Sequence, residues 1–186
     1  DDTLIGSAGN DVFQGNGGND TLTGGAGADL LDGGDNTDTD TASYATATAG
    51  VVASLTASFA VGPAVIQTGD AAGDTFIGIE NLTGSAFNDT LIGNDTANNL
   101  TGGAGDDILE GMDGADKLYG DGGNNTASYA HAVATSGSIG ITASLSDISI
   151  NTGHAAGDQY VNIQNLTGSN FADTLIGDAN KNTLIG

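Results

Sequence analysis

The sequence predicts an all-β solenoid, with short parallel strands stacked coil on coil along one axis. Three observations predict it. A nine-residue unit recurs that opens on Gly, carries Asp sixth and a large apolar residue eighth. Apolar residues are only 38% of the chain, too few for an ordinary layered core. The order of parts then repeats at a longer period, marked by Asp2, Asp89 and Asp173, each of which opens the run Asp-Thr-Leu-Ile-Gly.

The unit is clearest from Gly6 to Asp32, which reads GSAGNDVFQ, GNGGNDTLT and GGAGADLLD. Its first six places are rich in Gly, Asn and Asp. These residues tolerate positive φ and favour turns over strand interiors. Its last three places hold one large apolar side chain between smaller or polar ones, which suits a short strand. One Leu per unit cannot make a core, but stacked strands pool their Leu side chains into a column. The sixth-place Asp then recurs at one position on every coil. Stacked carboxylates repel unless a cation lies between them. Carboxylate and carbonyl oxygens are hard ligands, which suit calcium. With no Cys and two His, the chain has little to offer a softer metal.

Composition points the same way. Net charge is −22, with 24 acidic residues against two Lys and no Arg. All the acids are Asp except Glu80 and Glu110, a bias that fits short ligands placed in turns. The 32 Gly residues are more than twice the usual share of about 7%. Such a chain repels itself without counter-ions, so calcium is expected to be part of the fold. The charge makes it a poor nucleic-acid ligand. No window approaches the run of about 20 apolar residues that a membrane-spanning helix needs.

Along the chain, the expected organisation is a nonapeptide block at 1–43 and an Ala/Thr/Val-rich spacer at 44–68. A degenerate and then regular nonapeptide block follows at 69–128. A second spacer fills 129–152, and a third block fills 153–186. The unit from Gly33 keeps Asp38 sixth, but its eighth place is Asp40, so the apolar column is expected to break there. Strands are expected at 51–55, 64–66 and 139–145. The sequence opens and closes inside a unit, which reads as a window on a longer array. His131 and His154 occupy unlike places in the two long repeats and are read as packing residues.

The pattern G-G-x-G-x-D-x-U-x, with U large and apolar, resembles the hemolysin-type calcium-binding repeat family, also called RTX. The resemblance is strong over Gly6–Asp38 and Gly102–Tyr119. It is poor where the fourth place is Phe87, Thr96, Phe171 or Asn180, and those turns are expected to differ in shape or bind nothing. The resemblance implies a right-handed parallel β-roll with two units per coil and calcium between neighbouring turns. It pairs Asp2 with Asp20, Asp20 with Asp38, and Asp11 with Asp29. It also pairs Asp89 with Asp107, Asp107 with Asn125, and Asn98 with Asp116. Asn98 and Asn125 are expected to be weaker ligands, and Asp173 is a further candidate. Turn carbonyls complete the implied set: Gly15, Gly17 and Gly18; Gly24, Gly25 and Gly27; Gly33 and Gly34. In the second block they are Gly102, Gly103 and Gly105; Gly111 and Gly114; Gly120 and Gly122.

The implied function is a structural, calcium-binding segment of a large secreted or surface protein, of the adhesin or surface-layer kind, delivered by type I secretion. The alternative is an accessory module of a secreted metalloprotease, lipase or epimerase, with catalysis elsewhere. No catalytic residue is expected within the chain. The partner classes left open are calcium, other copies of the chain, and neighbouring repeats.

Overall fold

The structure, a computed structural model, describes residues 1–35, 37–56, 66–133 and 139–186. Among them are eighteen short strands, three 3₁₀ turns and no α-helix. The strands form four parallel sheets. The first sheet stacks Thr3–Ile5 (β1), Thr21–Thr23 (β3), Thr41–Ser43 (β5), Asn81–Thr83 (β8), Asn99–Thr101 (β10), Lys117–Tyr119 (β12) and Gln159–Val161 (β15). The second stacks Val12–Gln14 (β2), Leu30–Asp32 (β4) and Thr75–Ile77 (β7). The third stacks Val52–Ser54 (β6), Thr90–Ile92 (β9), Ile108–Glu110 (β11), Asn125–Ser128 (β13), Ile163–Thr167 (β16) and Thr183–Ile185 (β18). The fourth pairs Ile139–Ser144 (β14) with Ala172–Ile176 (β17).

Strand pairing follows from the apolar eighth place. Each three-residue strand turns its middle side chain inward, so register is fixed by stacking like on like. Leu4 pairs with Leu22, Phe13 with Leu31, Leu100 with both Leu82 and Leu118, and Leu91 with Leu109. Leu22, Leu31, Leu82, Leu91, Leu100, Leu109, Leu118 and Leu166 are fully buried. In the regular runs, partners are 18 residues apart, which is two units per coil. The chain is a parallel β-roll.

The apolar column does not break at Asp40. Thr21 pairs with Thr41 and Leu22 with Ala42, and Ala42 pairs onward with Leu82. The coil is longer by two residues, so the inward position passes to the buried Ala42. The two extra residues sit in the turn, where backbone irregularity costs least.

The regions between the regular runs change which sheets the chain visits. The first run alternates between sheets one and two. From β5 the chain crosses to sheet three (β6), then to sheet two (β7), and returns to sheet one (β8). Sheet two ends there and sheet three begins, so the next run alternates between sheets one and three. The same exchange recurs from β13. The chain visits sheet four (β14) and sheet one (β15), after which sheet one ends and the roll continues on sheets three and four. Each exchange is a coil of three strands in place of two. The wider coil is filled by Tyr44, Val51, Ala53, Ala71 and Ile79 in the first instance. Tyr129, Ile141, Ala143, Ala155 and Ile163 fill the second. The strand expected at 51–55 is β6 and that at 139–145 is β14. The strand expected at 64–66 lies outside the described residues, except Ile66, which belongs to no strand.

Candidate metal centre

Sixth-place side chains lie at the junction of turn and strand, where each reaches across to the neighbouring coil. One carboxylate oxygen accepts the N–H of the equivalent residue one coil earlier. Asp20 Oδ1 takes Asp2 N–H at 2.6 Å, and Asp29 Oδ1 takes Asp11 N–H at 2.8 Å. Asp107 Oδ1 takes Asp89 N–H at 2.9 Å, and Asp116 Oδ1 takes Asn98 N–H at 2.9 Å. The pair assigned to Asp20 and Asp38 is formed by Asp20 and Asp40 instead, with Asp40 Oδ1 on Asp20 N–H at 2.8 Å. Asp38 sits two residues earlier and accepts Gly18 N–H at 2.8 Å.

The second carboxylate oxygen divides the turns into two kinds. Oδ2 of Asp20, Asp29, Asp40, Asp107 and Asp116 is buried with no hydrogen-bond donor. Its neighbours are the Gly at the first place of the same unit and, at two sites, a carbonyl of the next coil. A Cβ on Gly15 would lie 2.2 Å from Asp20 Oδ2 and 2.6 Å from the Gly33 carbonyl oxygen. A Cβ on Gly33 would lie 2.4 Å from Asp40 Oδ2 and 2.2 Å from the Gly78 carbonyl oxygen. Gly24, Gly102 and Gly111 stand equally close to Asp29, Asp107 and Asp116. At the first two sites acceptors gather without a donor, and each of the five orphaned oxygens would cost about 1–3 kcal/mol if left so. Burial pushes the Asp107 carboxyl up to about 6 and that of Asp116 up to about 7.

In the other kind of turn the chain closes on its own carboxylate. Ser85 N–H donates to Asp89 Oδ2 at 2.6 Å, and Ser85 Oγ adds a bond of 2.9 Å to Oδ1. Ser169 does the same for Asp173, at 2.6 and 2.8 Å. Ser7 N–H donates to Asp11 Oδ2 at 2.9 Å. Asn94 N–H and Asp178 N–H donate to the side-chain oxygens of Asn98 and Asn182.

The second place of the unit separates the two kinds. It has positive φ in every turn with an orphaned oxygen: Asn16 (72°), Gly25 (97°), Gly34 (112°), Gly103 (100°) and Met112 (76°). There the second N–H points away from the sixth-place side chain. Ser7, Ser85, Asn94, Ser169 and Asp178 do not have positive φ, and their N–H groups turn inward. The turns with Phe87, Thr96, Phe171 and Asn180 at the fourth place all belong to this closed kind. So does the Gly6–Asp11 turn, which the sequence motif alone does not separate from its neighbours. Gly18, Gly27, Gly105 and Gly114 also have positive φ at the fourth place of open turns. Their presence marks the shape in which backbone carbonyls face the adjacent coil.

The residues present fit a hard divalent cation. Among the described residues no three His, Asp or Glu side chains converge on one point. A cation would therefore take few carboxylate oxygens and draw its other protein ligands from turn carbonyls. Asp20, Asp29, Asp40, Asp107 and Asp116 would hold it with carbonyls of the Gly15, Gly24, Gly33, Gly102 and Gly111 turns. Two candidates are already in use, since Gly103 O accepts Gly122 N–H at 2.7 Å and Gly122 O accepts from Asn125 Nδ2 at 3.4 Å, although a carbonyl keeps a second lone pair. Gly17 and Gly120 lie in turns of the same open shape, and Asp2 contributes its backbone N–H to Asp20.

A model of the RTX calcium-binding nonapeptide repeat matches four stretches, residues 5–40, 74–100, 92–127 and 164–186. The chain belongs to the RTX calcium-binding nonapeptide repeat family. No curated protein matches it as a relative. The matched stretches include all five orphaned carboxylates and omit most of each three-strand coil.

Several partners at the sixth place are not visible in the nine-residue count. Asp40 is one, and its signal is the triplet Asp40-Thr41-Ala42, which repeats the Asp-Thr-apolar order of Asp20-Thr21-Leu22. Glu80 Oε2 takes Asp40 N–H at 2.9 Å, and Gln164 Oε1 takes Asn125 N–H at 2.7 Å. Their longer side chains span the coils that follow each exchange of sheets. Asp74 and Asp158 end the columns on the sheets that stop. Oδ1 of each accepts a neighbouring N–H, and Oδ2 accepts a tyrosine hydroxyl, from Tyr44 and Tyr129 respectively, at 2.8 Å. Elsewhere, Glu110 is buried and accepts from Ser128 Oγ at 3.1 Å, His131 N–H at 2.8 Å and the His131 ring at 3.0 Å. The hydrogen bond to Glu110 raises the His131 pKa.

Proposed function

We propose that this chain is a calcium-binding structural segment of a large secreted or surface protein, and that it completes its fold on meeting calcium outside the cell. One observation carries the reading: five buried Asp oxygens have no donor and lie in turns of one shape. A polar oxygen buried without a partner implies a missing positive group. Family membership names calcium as that group. The net charge of −22 supplies a second reason, since divalent ions between coils would offset repulsion along the roll.

Location follows from concentration. Extracellular calcium modules work at about 10⁻⁴–10⁻³ M, far above cytosolic calcium. A chain tuned to that range is loose inside the cell and compact outside it. The role is mechanical: a stalk or lattice element whose coils lock when ions bridge them. No helix of the described residues is long and apolar enough to cross a membrane. Catalysis is assigned to none of its residues. Circular dichroism with EGTA tests the reading. Chelation is expected to remove β signal, calcium to restore it, and magnesium to restore much less. A spectrum indifferent to chelation would overturn it.

A further inference from the structure

We propose that ions enter only the five open turns that carry Asp at the sixth place, and that the three-strand coils are held by the chain's own donors and keep their structure without calcium. This rests on the calcium reading above. It adds which joints of the roll are ionic and which are not.

Three kinds of donor stand where an ion would otherwise be needed. The first is the inward N–H and hydroxyl of the second-place Ser. Ser85 and Ser169 close Asp89 and Asp173, the sixth-place residues that follow the two exchanges of sheets. The second is the tyrosine hydroxyl. Tyr44 and Tyr129 are buried inside the three-strand coils and each donates to the last carboxylate of an ending sheet. The Tyr129 hydroxyl also bonds that of Tyr160. The third is the side-chain amide. Asn98 Nδ2 donates to the Glu80 carbonyl at 2.7 Å, and Asn182 Nδ2 to the Gln164 carbonyl at 2.9 Å.

Asn125 is the most telling case. Its turn has the open shape, with Asp121 at φ 54° and Gly123 at φ 101°. Yet its side chain is an amide, and Nδ2 donates to the Asn162 carbonyl of the next coil at 3.2 Å. Its Oδ1 takes Asp107 N–H at 2.9 Å, as an Asp would. The amide thus places an N–H against the carbonyl that a cation would bind in the Asp turns. Asn98 and Asn125 are therefore assigned as ion-free joints and not as weak ligands.

The three-strand coils also have less charge to neutralise. Residues 44–67 contain no acid and 129–151 contain only Asp147, and the rest of the coils up to β7 and β15 adds Asp70 and Asp74 to the first and Asp158 to the second. Their interiors are largely apolar, with the hydroxyl-bound carboxylates and a few buried neutral side chains such as Ser54, Ser144 and Asn151. Calcium would then fold the nonapeptide runs onto coils that are already formed.

Hydrogen exchange of the whole chain, in calcium and in EGTA, tests this directly. In EGTA, amides of β6, β8 and β16 are expected to stay protected while those of β3, β4, β11 and β12 lose protection. At calcium 100 times its Kd, each ion is expected to restore about 100-fold protection to the second group. If both groups depend equally on calcium, the inference fails and the calcium reading stands. If calcium changes neither, the calcium reading itself fails. Native mass spectrometry supplies an independent arm. Asn125→Asp is expected to bind one more calcium than the parent chain, and Asn125→Ala the same number. No gain with Asn125→Asp, or an ion lost with Asn125→Ala, would overturn the assignment.

Discussion

The turns Gly84–Asp89 and Gly102–Asp107 stack directly on one another, and Asp89 N–H donates to Asp107 Oδ1 at 2.9 Å. Both are six residues long and both end in a buried Asp. In the first, Ser85 turns its N–H and hydroxyl onto the carboxylate. In the second, Gly103 adopts φ 100°, its N–H points elsewhere, and Asp107 Oδ2 has no donor. The same acid is thus a finished hydrogen-bond acceptor in one coil and, on the proposed reading, half of a cation site in the next. The conformation of a single backbone residue decides which. On the proposed reading, Asp defines a site in this roll only together with a left-handed second residue.

The largest effect that separates the two turns is a loss that depends on calcium in one and not in the other. Asp107→Ala is expected to destabilise the calcium-loaded chain by about 3 kcal/mol at calcium 100 times its Kd, because one ion is lost. In EGTA the same change should cost less, since the Asp89 N–H that it strands is offset by the removal of a buried oxygen that lacks a donor. Asp89→Ala should cost about 1–3 kcal/mol in both conditions, because it strands Ser85 and Val51 N–H groups. Urea denaturation of the two variants with and without calcium checks this. Parallel losses in all four experiments would erase the distinction.

A smaller effect probes how a column ends. Tyr129→Phe removes the donor to Asp158 Oδ2, a carboxyl that burial already pushes up to about 6. A loss of about 1–3 kcal/mol is expected, and it should be the same in calcium and in EGTA. A loss seen only in calcium would place an ion at Asp158 and break the contrast between ending and continuing columns.

The smallest effect depends on pH and lies at the rim of the second three-strand coil. Glu110 holds the His131 pKa above its ordinary value through a hydrogen bond. A raised folded-state pKa means the folded chain binds the proton more tightly than the unfolded chain. Its contribution is complete below the unfolded value of about 6.5 and is lost as pH rises through the folded value. His131→Gln should therefore cost more stability at pH 5.5 than at pH 8.5. Equal costs would mean that the contact is neutral.

Much of this architecture is legible in the sequence, for a physical reason. The apolar eighth place sets register, and register sets the sheets, so Leu22, Leu100 and Leu118 could be aligned by counting. Counting fails where the coil changes length. The extra pair of residues before Asp40 moves the cross-coil carboxylate contact from Asp38 to Asp40, because the inward apolar position and not the turn fixes the strand. The three-strand coils are not legible either. Their partners lie 32 to 45 residues apart, and no local pattern encodes that a sheet ends with Asp74 or Asp158. The weak turns at Phe87, Thr96, Phe171 and Asn180 could be singled out because they lack the fourth-place Gly. The closure of the Gly6 turn by Ser7 could not, since its fourth place is Gly9.

Anomalous diffraction from crystals of this chain grown in calcium tests the central claim most directly. Ion density is expected beside Oδ2 of Asp20, Asp29, Asp40, Asp107 and Asp116, and none beside Asp11, Asp89, Asn98, Asn125 or Asp173. Empty turns at the first five positions in ample calcium would contradict the account.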